Sequence, residues 1–351
     1  MKILSDKDVS KVLEDVTRDT LLKVYQPHLL ESLRKLSQTP ESLPGRIVQA
    51  STTRSSDSTH LFMPSVAPSE VGLKVITGGP TNSKKGLGFV GCVLVLDEHD
   101  GSLLGVLNGK TLTAFRTALA SSIPMVRVLD PFECEILPQV SVFGSGLQAY
   151  WHAKLTVILY GDKIQTINLI NKSLHNAEVL QQTLAKEFPN KSFTVLSYAD
   201  ESQAEDVHRA VYHSSIILGC LPSTEAVIKK SFLNPDKNVP KYINLIGSYK
   251  PHMLELDSEV IHSEFNDGTR IIVDSKEHCL HESGELVQSK RTAENLIDIA
   301  ELCSQGSGGS VRVTSRSNIT ISKLVGLATM DVSIGKLLLR RSHGGVEIGE
   351  F

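Results

Sequence analysis

An octapeptide near the middle of the chain, Val142-Phe143-Gly144-Ser145-Gly146-Leu147-Gln148-Ala149, constrains the fold more than any other stretch. Gln139 to Phe143 reads as a short buried strand, and Leu147 to Tyr160 carries apolar side chains at helical spacing. Two glycines and an alanine at this spacing, between a strand and a helix, match a dinucleotide-binding turn. Gly144 permits the tight turn and Gly146 lets backbone approach a pyrophosphate. Ala149 allows close packing of helix on strand. The free N–H groups and positive dipole end of the helix would face the anion. Ser145, Leu147 and Gln148 complete the expected contact surface. The competing reading is a plain strand-to-helix turn.

The next predicted strand, Thr166 to Ile170, ends in Asn171-Lys172-Ser173. A carboxylate about 20 residues beyond the glycines usually binds the ribose 2′-hydroxyl of NAD and repels a 2′-phosphate. Here an amide, an ammonium and a hydroxyl stand instead, which favours NADP(H). An ordinary solvated loop is the alternative.

The chain has 351 residues, a formal charge of −3, 40% hydrophobic and 21% charged residues, which predicts about two ordinary globular domains. No basic excess announces nucleic acid, and no apolar run approaches the roughly 20 residues that span a bilayer. Met1 to Asp8 lacks the apolar core of a signal peptide, and Cys92, Cys134, Cys220, Cys279 and Cys303 show no paired spacing. The expectation is a cytoplasmic protein with reduced thiols. The three N-x-S/T sequons then carry no weight. Glu277-His278-Cys279-Leu280-His281 matches no paired zinc spacing, so no metal is expected.

A helical pattern from Ser5 to about Val24 is followed by a second near His28 to Ser37 and a break at Pro40 and Pro44. Arg46 to Thr53, His60 to Met63, Val71 to Thr77, Gly88 to Asp97 and Leu103 to Asn108 read as strands of a mostly antiparallel sheet. After a long helix, Thr111 to Leu129, strands alternate with helices as in a parallel α/β sheet. A glycine-serine linker, Ser304 to Ser310, precedes an apolar helical stretch, Ile319 to Arg340, expected to return to the first domain. Arg340 to Gly345 reads as a solvated tail. The expected fold class is α/β: a Rossmann dinucleotide-binding domain at 129–318 and a discontinuous α+β domain at 1–128 and 319–351.

Several stretches together carry a family resemblance: Arg46, Met63-Pro64, Leu73-Lys74-Val75, Gly78-Gly79-Pro80-Thr81-Asn82, Leu107 to Ala118 with its Leu-Thr-Ala-x-Arg-Thr-Ala helix, the glycine turn with Gln148, and Lys323 to Ala328. In that order they make the chain resemble the ornithine cyclodeaminase/mu-crystallin family from end to end. The resemblance implies a homodimer whose first domain supplies a shared β-structure and the substrate face. It also implies cyclodeamination, imine reduction or amino-acid oxidation as the reaction. It puts Arg46, Lys74 and Arg116 around a substrate carboxylate as the catalytic and binding cations, with Met63 at the pocket wall. Each cation has a bland alternative: a paired buried lysine, a structural ion pair, or a solvated strand-edge arginine. Cys220-Leu221-Pro222 and Gly247-Ser248 follow later strands and are expected to border the nicotinamide, with Cys220 a packed side chain rather than a nucleophile.

Departures from the family pattern narrow the reading. Tyr249 stands where cyclodeaminases carry the aspartate that handles the substrate amine, and the glutamate expected just before Met63-Pro64 is absent. The pattern is therefore closer to the mu-crystallin, or ketimine reductase, branch. The expected activity is NADPH-dependent reduction of a C=N bond beside a carboxylate, as in a cyclic ketimine acid. Lys74 is the candidate proton donor, with Tyr249 and His252 behind it. Two alternatives stay open: an NAD-dependent cyclodeaminase or amino-acid dehydrogenase, and an NADPH-dependent binding protein without turnover.

Overall fold

The computed structural model describes residues 1–135, 137–236, 238–263, 269–304 and 318–349; the expected glycine-serine linker falls, beyond Ser304, outside them. Along the chain, the first strands are β1 (Lys2–Leu4), β2 (Ile47–Ala50), β3 (Thr59–Ala67), β4 (Glu70–Gly78), β5 (Val90–Leu96) and β6 (Leu103–Asn108). Then come β7 (Leu137–Phe143), β8 (Ile164–Asn171), β9 (Ser192–Ser197), β10 (Ser214–Gly219) and β11 (Lys241–Leu245). The last are β12 (Ile271–Val273), β13 (Leu296–Asp298), β14 (Ile319–Lys323) and β15 (Val346–Glu347). Two compact units form: unit 1 from Met1–Thr117 and Gly326–Phe351, unit 2 from Ala118–Val325.

Unit 1 is a seven-stranded sheet in the order β15-β1-β6-β5-β4-β3-β2. β2 through β6 are antiparallel neighbours, as the alternating sequence runs predict. Burial alternates along β3 and β4, so Leu61, Met63, Lys74 and Ile76 face inward while Phe62 and Val66 face out. The helix Ala328–Arg341 covers the inner face, packing on β3, β4 and β5. β3 runs past its expected end at Met63, through Pro64 to Ala67. β2 pairs only with Thr59 to Phe62, so no neighbour on that side asks Pro64 for an N–H.

Unit 2 is an eight-stranded, wholly parallel sheet, β13-β12-β14-β11-β10-β7-β8-β9, of Rossmann type. β10 and β11 are buried at every position, which is the signature of central strands covered on both faces. Phe143, Ile170, Ile217, Ile243 and Val273 belong to one continuous apolar core. Strand order reverses beside β7, and the glycine turn begins at its C-terminal end; in open parallel sheets such a switch point is where ligands bind.

Three expectations need correction. Ile319 to Lys323 is not helical: its β-branched alternation makes it β14, between β11 and β12 in unit 2, and the helix starts only at Ala328. The unit boundaries consequently fall at Thr117/Ala118 and Val325/Gly326, not at 128/129 and 318/319, with the continuous helix Gly109–Val128 crossing the first. The first helix stops at Glu14, because Thr17 caps a new turn by accepting from Thr20 N–H, and a π-helical turn, Leu21–Tyr25, leads into Gln26–Gln38. The tail Arg340 to Gly345 is exposed as expected, except at Ser342, and is tied down at two points. Lys2 donates to the Ser342 carbonyl, and the Arg341 guanidinium lies 5.6 Å from the Tyr25 ring centre.

Candidate active site

In unit 1 the predicted cations collect around an acid that sequence reasoning did not single out. Lys74 projects from β4 between its strand partners Met63 and Val93. Its ammonium donates to Asp331 Oδ1 at 2.8 Å, and Arg116 Nε, from the helix Gly109–Val128, donates to the same oxygen at 3.0 Å. Lys74 and Asp331 are 0% exposed and Arg116 only 4%. A buried charge must be paired, and this arrangement pairs three at once, leaving a cation in surplus. Asp331 sits in the first turn of the helix Ala328–Arg341, where the helix dipole favours an anion. Its Oδ2 is buried with no hydrogen-bond partner among the described residues.

Gly326 joins the third cation to this group. Its φ of +82° is a left-handed conformation that glycine adopts freely, and a Cβ there would stand 2.9 Å from Arg116 Nη1. Its carbonyl accepts from Arg46 Nη2 at 2.6 Å. Arg46 is half-buried and Met63 is 4% exposed. Burial holds the Lys74 amine down at about 7; Asp331 pulls it back up, while Arg116 and Arg46 push it further down. An amine so placed holds its proton at neutral pH and can also release it.

In unit 2 the glycine turn has the shape its residues predict. Gly144 has φ +122°, and any Cβ on it would lie 2.9 Å from the Cys220 carbonyl. Gly146 is the N-cap of the helix Leu147–Tyr160 with no side-chain cap, and nothing stands within 4 Å of where its Cβ would be. The first-turn N–H groups, from Leu147 to Ala149, precede the first backbone bond, Tyr150 N–H to the Gly146 carbonyl, and so face out of the helix end. Gln148 Oε1 is buried and takes no hydrogen bond among the described residues. Ser145 is half-buried and Ala149 fully buried. Open space and the outward-facing N–H groups of the helix end together fit a pyrophosphate-bearing cofactor.

The loop after β8 divides its three residues between structure and solvent. Asn171 is buried and spends its side-chain amide on the Ser173 carbonyl at 3.0 Å. Lys172 and Ser173 are exposed, and Ser173 heads the helix Leu174–Glu187 without a side-chain cap bond. An exposed ammonium and an exposed hydroxyl are thus presented beside a helix N-terminus. Ser197 Oγ anchors the loop by donating to the Lys172 carbonyl.

Beyond β10 and β11, Cys220-Leu221-Pro222 and Gly247-Ser248 are linked through Glu255, another residue the sequence did not flag. Its buried carboxylate accepts from Leu221 N–H at 2.9 Å and Gly247 N–H at 2.6 Å. Desolvation and the Glu255 charge push the Cys220 thiol well up, so it remains a packed thiol. Burial also raises the Tyr249 phenol, whose ring lies beneath Lys250, while His252 is exposed. Around the expected non-metal run, Cys279 points its thiol at Asp274, and His278 bonds Ser275. The signal that could have found Asp331 is a charged residue inside an otherwise apolar stretch; Glu255, with Asp257 and Glu259 close behind it, carries no such signal.

Comparison with known proteins identifies the family and agrees with the fold. The family model described as "Ornithine cyclodeaminase/mu-crystallin family" matches residues 6–345. A Delta(1)-pyrroline-2-carboxylate reductase of Bacillus cereus is 32% identical over 81% of this chain and 82% of its own. Ketimine reductase mu-crystallin of Macropus fuliginosus is 28% identical over 70% and 67%. The structure of Thermococcus litoralis Delta(1)-pyrroline-2-carboxylate reductase, solved with NADH and L-proline, superposes with a TM-score of 0.78 at 21% identity, covering 99% of this chain and 100% of that one. That likeness is one of fold. Since the family match spans residues 6–345, nearly the whole sequence, the chain belongs to the ornithine cyclodeaminase/mu-crystallin family.

Proposed function

We propose that the protein is an NADPH-dependent reductase of a C=N bond adjacent to a carboxylate, converting a cyclic ketimine acid, or the imine of a keto acid, into an amino acid. The observation that carries this reading is the pair of buried cations, Lys74 and Arg116, that share one oxygen of Asp331, with Arg46 on the neighbouring Gly326 carbonyl. Two buried cations on one carboxylate oxygen are costly in isolation, and a small carboxylate relieves that cost. Arg116 and Arg46 would orient that carboxylate through forked guanidinium bonds, with Met63 against the apolar part of the substrate. The named relatives, reductases of pyrroline-2-carboxylate and of ketimines, support an imine as the group reduced.

Gly144 to Ala149 would hold the pyrophosphate, and Lys172 with Ser173 the 2′-phosphate; Asn171 would shape that loop. Cys220 to Pro222 and Gly247-Ser248 would border the nicotinamide. When bound, the reduced cofactor supplies the hydride for the imine carbon. Lys74 would deliver the proton that the imine nitrogen takes up, directly or through water, and its neutral amine would stay in place against Asp331. The atoms balance: one hydride and one proton convert C=N to CH–NH.

A homodimer completes the proposal. The outer face of the unit 1 sheet leaves Ile47, Val48, Phe62 and Val66 well exposed, and β2 is a fully exposed edge strand. A second copy would cover both. Five free cysteines suit a reducing compartment, and we assign the protein to the cytoplasm. Among the described residues no helix is long and apolar enough to cross a membrane.

Purified protein given NADPH and pyrroline- or piperideine-2-carboxylate should deplete the nicotinamide absorbance band. No turnover with either acid, nor with a keto acid plus an amine, would overturn the reductase reading. A monomeric mass by light scattering would overturn the dimer.

A further inference from the structure

The second buried charge cluster, in unit 2, has no part in the chemistry described so far. Glu255 is 0% exposed, and its two carboxylate oxygens reach two separate loops. Oε1 accepts from Leu221 N–H at 2.9 Å, in the loop after β10. Oε2 accepts from Gly247 N–H at 2.6 Å and Ser248 N–H at 3.1 Å, in the loop after β11. Gly247 has no Cβ, and one built there would fall 2.7 Å from Glu255 Oε1, so the carboxylate's close approach depends on this glycine.

A second acid and a lysine hold Glu255 itself. Glu285 Oε1 accepts from the Glu255 backbone N–H at 2.9 Å, and its other oxygen accepts from Ser248 Oγ. Lys323, at the end of β14, donates to Ser248 Oγ at 2.6 Å and lies 3.5 Å from Glu285 and 4.0 Å from Glu255. The ends of three adjacent strands, β10, β11 and β14, are therefore gathered onto one carboxylate pair.

In a doubly wound sheet a dinucleotide runs across the C-terminal strand ends from the switch point. The adenosine half lies on the side of β7 and β8, and the nicotinamide half on the side of β10 and β11. We infer that Glu255 is a positioning residue for the nicotinamide half of the cofactor: it sets, through three backbone N–H groups, the two loops against which that ring rests. The inference rests on reading the glycine turn as a dinucleotide site. Glu255 touches no substrate and acts only through the loops. Burial and the neighbouring Glu285 hold its carboxyl up at about 7, and Lys323 draws it down.

Glu255→Gln tests the assignment, because an amide keeps the size but turns one acceptor into an NH2 that faces N–H donors. It can hold the Leu221 loop or the Gly247-Ser248 loop, not both. Two ligands are titrated calorimetrically: NADPH, and 2′-phospho-ADP-ribose, which lacks the nicotinamide. The expected result is a tenfold or greater rise in the NADPH dissociation constant, with that of 2′-phospho-ADP-ribose within twofold of the parent. Equal weakening of both ligands, as a merely structural role would give, or no weakening of either, overturns the inference. Should Glu255→Gln not fold, Glu285→Gln must show the same selective loss, at least threefold, and its failure to do so is equally decisive. Parent protein that binds neither of these ligands, nor NADH, sinks the dinucleotide reading and this inference with it. Parent protein that binds both but reduces no imine removes the reductase reading alone.

Discussion

The two units bury mirror-image charge clusters. In unit 1 two buried cations, Lys74 and Arg116, share one acid, Asp331, with Arg46 close by; in unit 2 two acids, Glu255 and Glu285, share one lysine, Lys323. Both strain against burial in the same way, and Lys74 and Glu255 are each driven to about 7 from opposite sides. They differ in how the surplus is absorbed. The acid surplus in unit 2 is taken up internally, by backbone N–H groups of the two loops. In unit 1, Lys74 and Arg116 share one oxygen of Asp331. On the proposed reading the saturated cluster is a brace and the unit 1 cluster a receptor for an outside anion.

The largest expected effect comes from removing the receptor's central charge. Lys74→Met keeps the volume and leaves Asp331 paired with Arg116, so the fold should survive. Turnover of the imine acid should fall on the order of a thousandfold, the scale for losing a positioned charge and proton donor together. Affinity for NADPH, a property of unit 2, should stay within about threefold on the binding scale where tenfold is 1.4 kcal/mol. Comparable turnover in the variant would show that the unit 1 cluster is also only a brace.

Asp331→Asn attacks the same cluster from the other side. Two buried cations would then lack their anion, and stability should drop by about 3–5 kcal/mol, read as a lowered denaturation midpoint. The pH profile sharpens the reading. In the parent, the rate should fall as pH rises through about 7, because Lys74 must hold a proton to donate it. The stability effect of Lys74 has the opposite sign. Between pH 7 and its ordinary value of 10.5 the unfolded chain binds a proton that the folded chain has lost, so this lysine's contribution rises with pH across that window. With Asp331 neutralised, the attraction that favours the charged amine is gone, and the rate limb should move to lower pH. A limb that does not move would take Lys74 out of the proton transfer.

These clusters also mark the limit of what the sequence reveals. The glycine turn, the strand alternation and the long helices were legible because each is a local pattern: Gly144 to Tyr160 folds as its residues predict. Lys74 and Arg116 were legible as cations, since a charge in an apolar run invites the question of a partner. Which partner was not legible. Asp331 lies 257 residues from Lys74, and its helix was expected to begin where β14 in fact runs. Glu255 reads as an ordinary loop acid until tertiary structure brings Leu221 and Gly247 onto its two oxygens. Pro64 continues β3 past the expected end at Met63 because no neighbour on the β2 side asks it for an N–H.

The adenosine side of unit 2 offers a smaller test of the brace–receptor distinction. Within Asn171-Lys172-Ser173 the buried amide is already used, while Lys172 and Ser173 are exposed. Lys172→Ala should therefore weaken NADPH by about tenfold and leave NADH unchanged, one point charge being lost against a phosphate. The Asn171→Ala change should instead weaken both cofactors alike, through the loop. Equal affinity of the parent for NADH and NADPH would remove Lys172 from the receptor class.

The smallest effect concerns Glu70, a buried acid that belongs to neither cluster. It accepts from Ser32 Oγ at 2.8 Å, its Oε2 is unbonded and it has no ion pair among the described residues. Burial raises it to about 7, against lesser pulls from Ser32, Lys336 and Lys35. From pH 4.5 to 7 the folded state therefore holds a proton that the unfolded state has released, so the contribution of Glu70 to stability declines as pH rises across that window. Glu70→Gln preserves the acceptor for Ser32 without a charge to desolvate. At pH 8 it should raise stability by about 1–2 kcal/mol, and below pH 4.5 it should change little, with the pH dependence between them flattened. A destabilised variant at pH 8 would mean that the carboxylate is held by a cation after all, which would make Glu70 a third paired cluster and not an acid kept neutral by its surroundings.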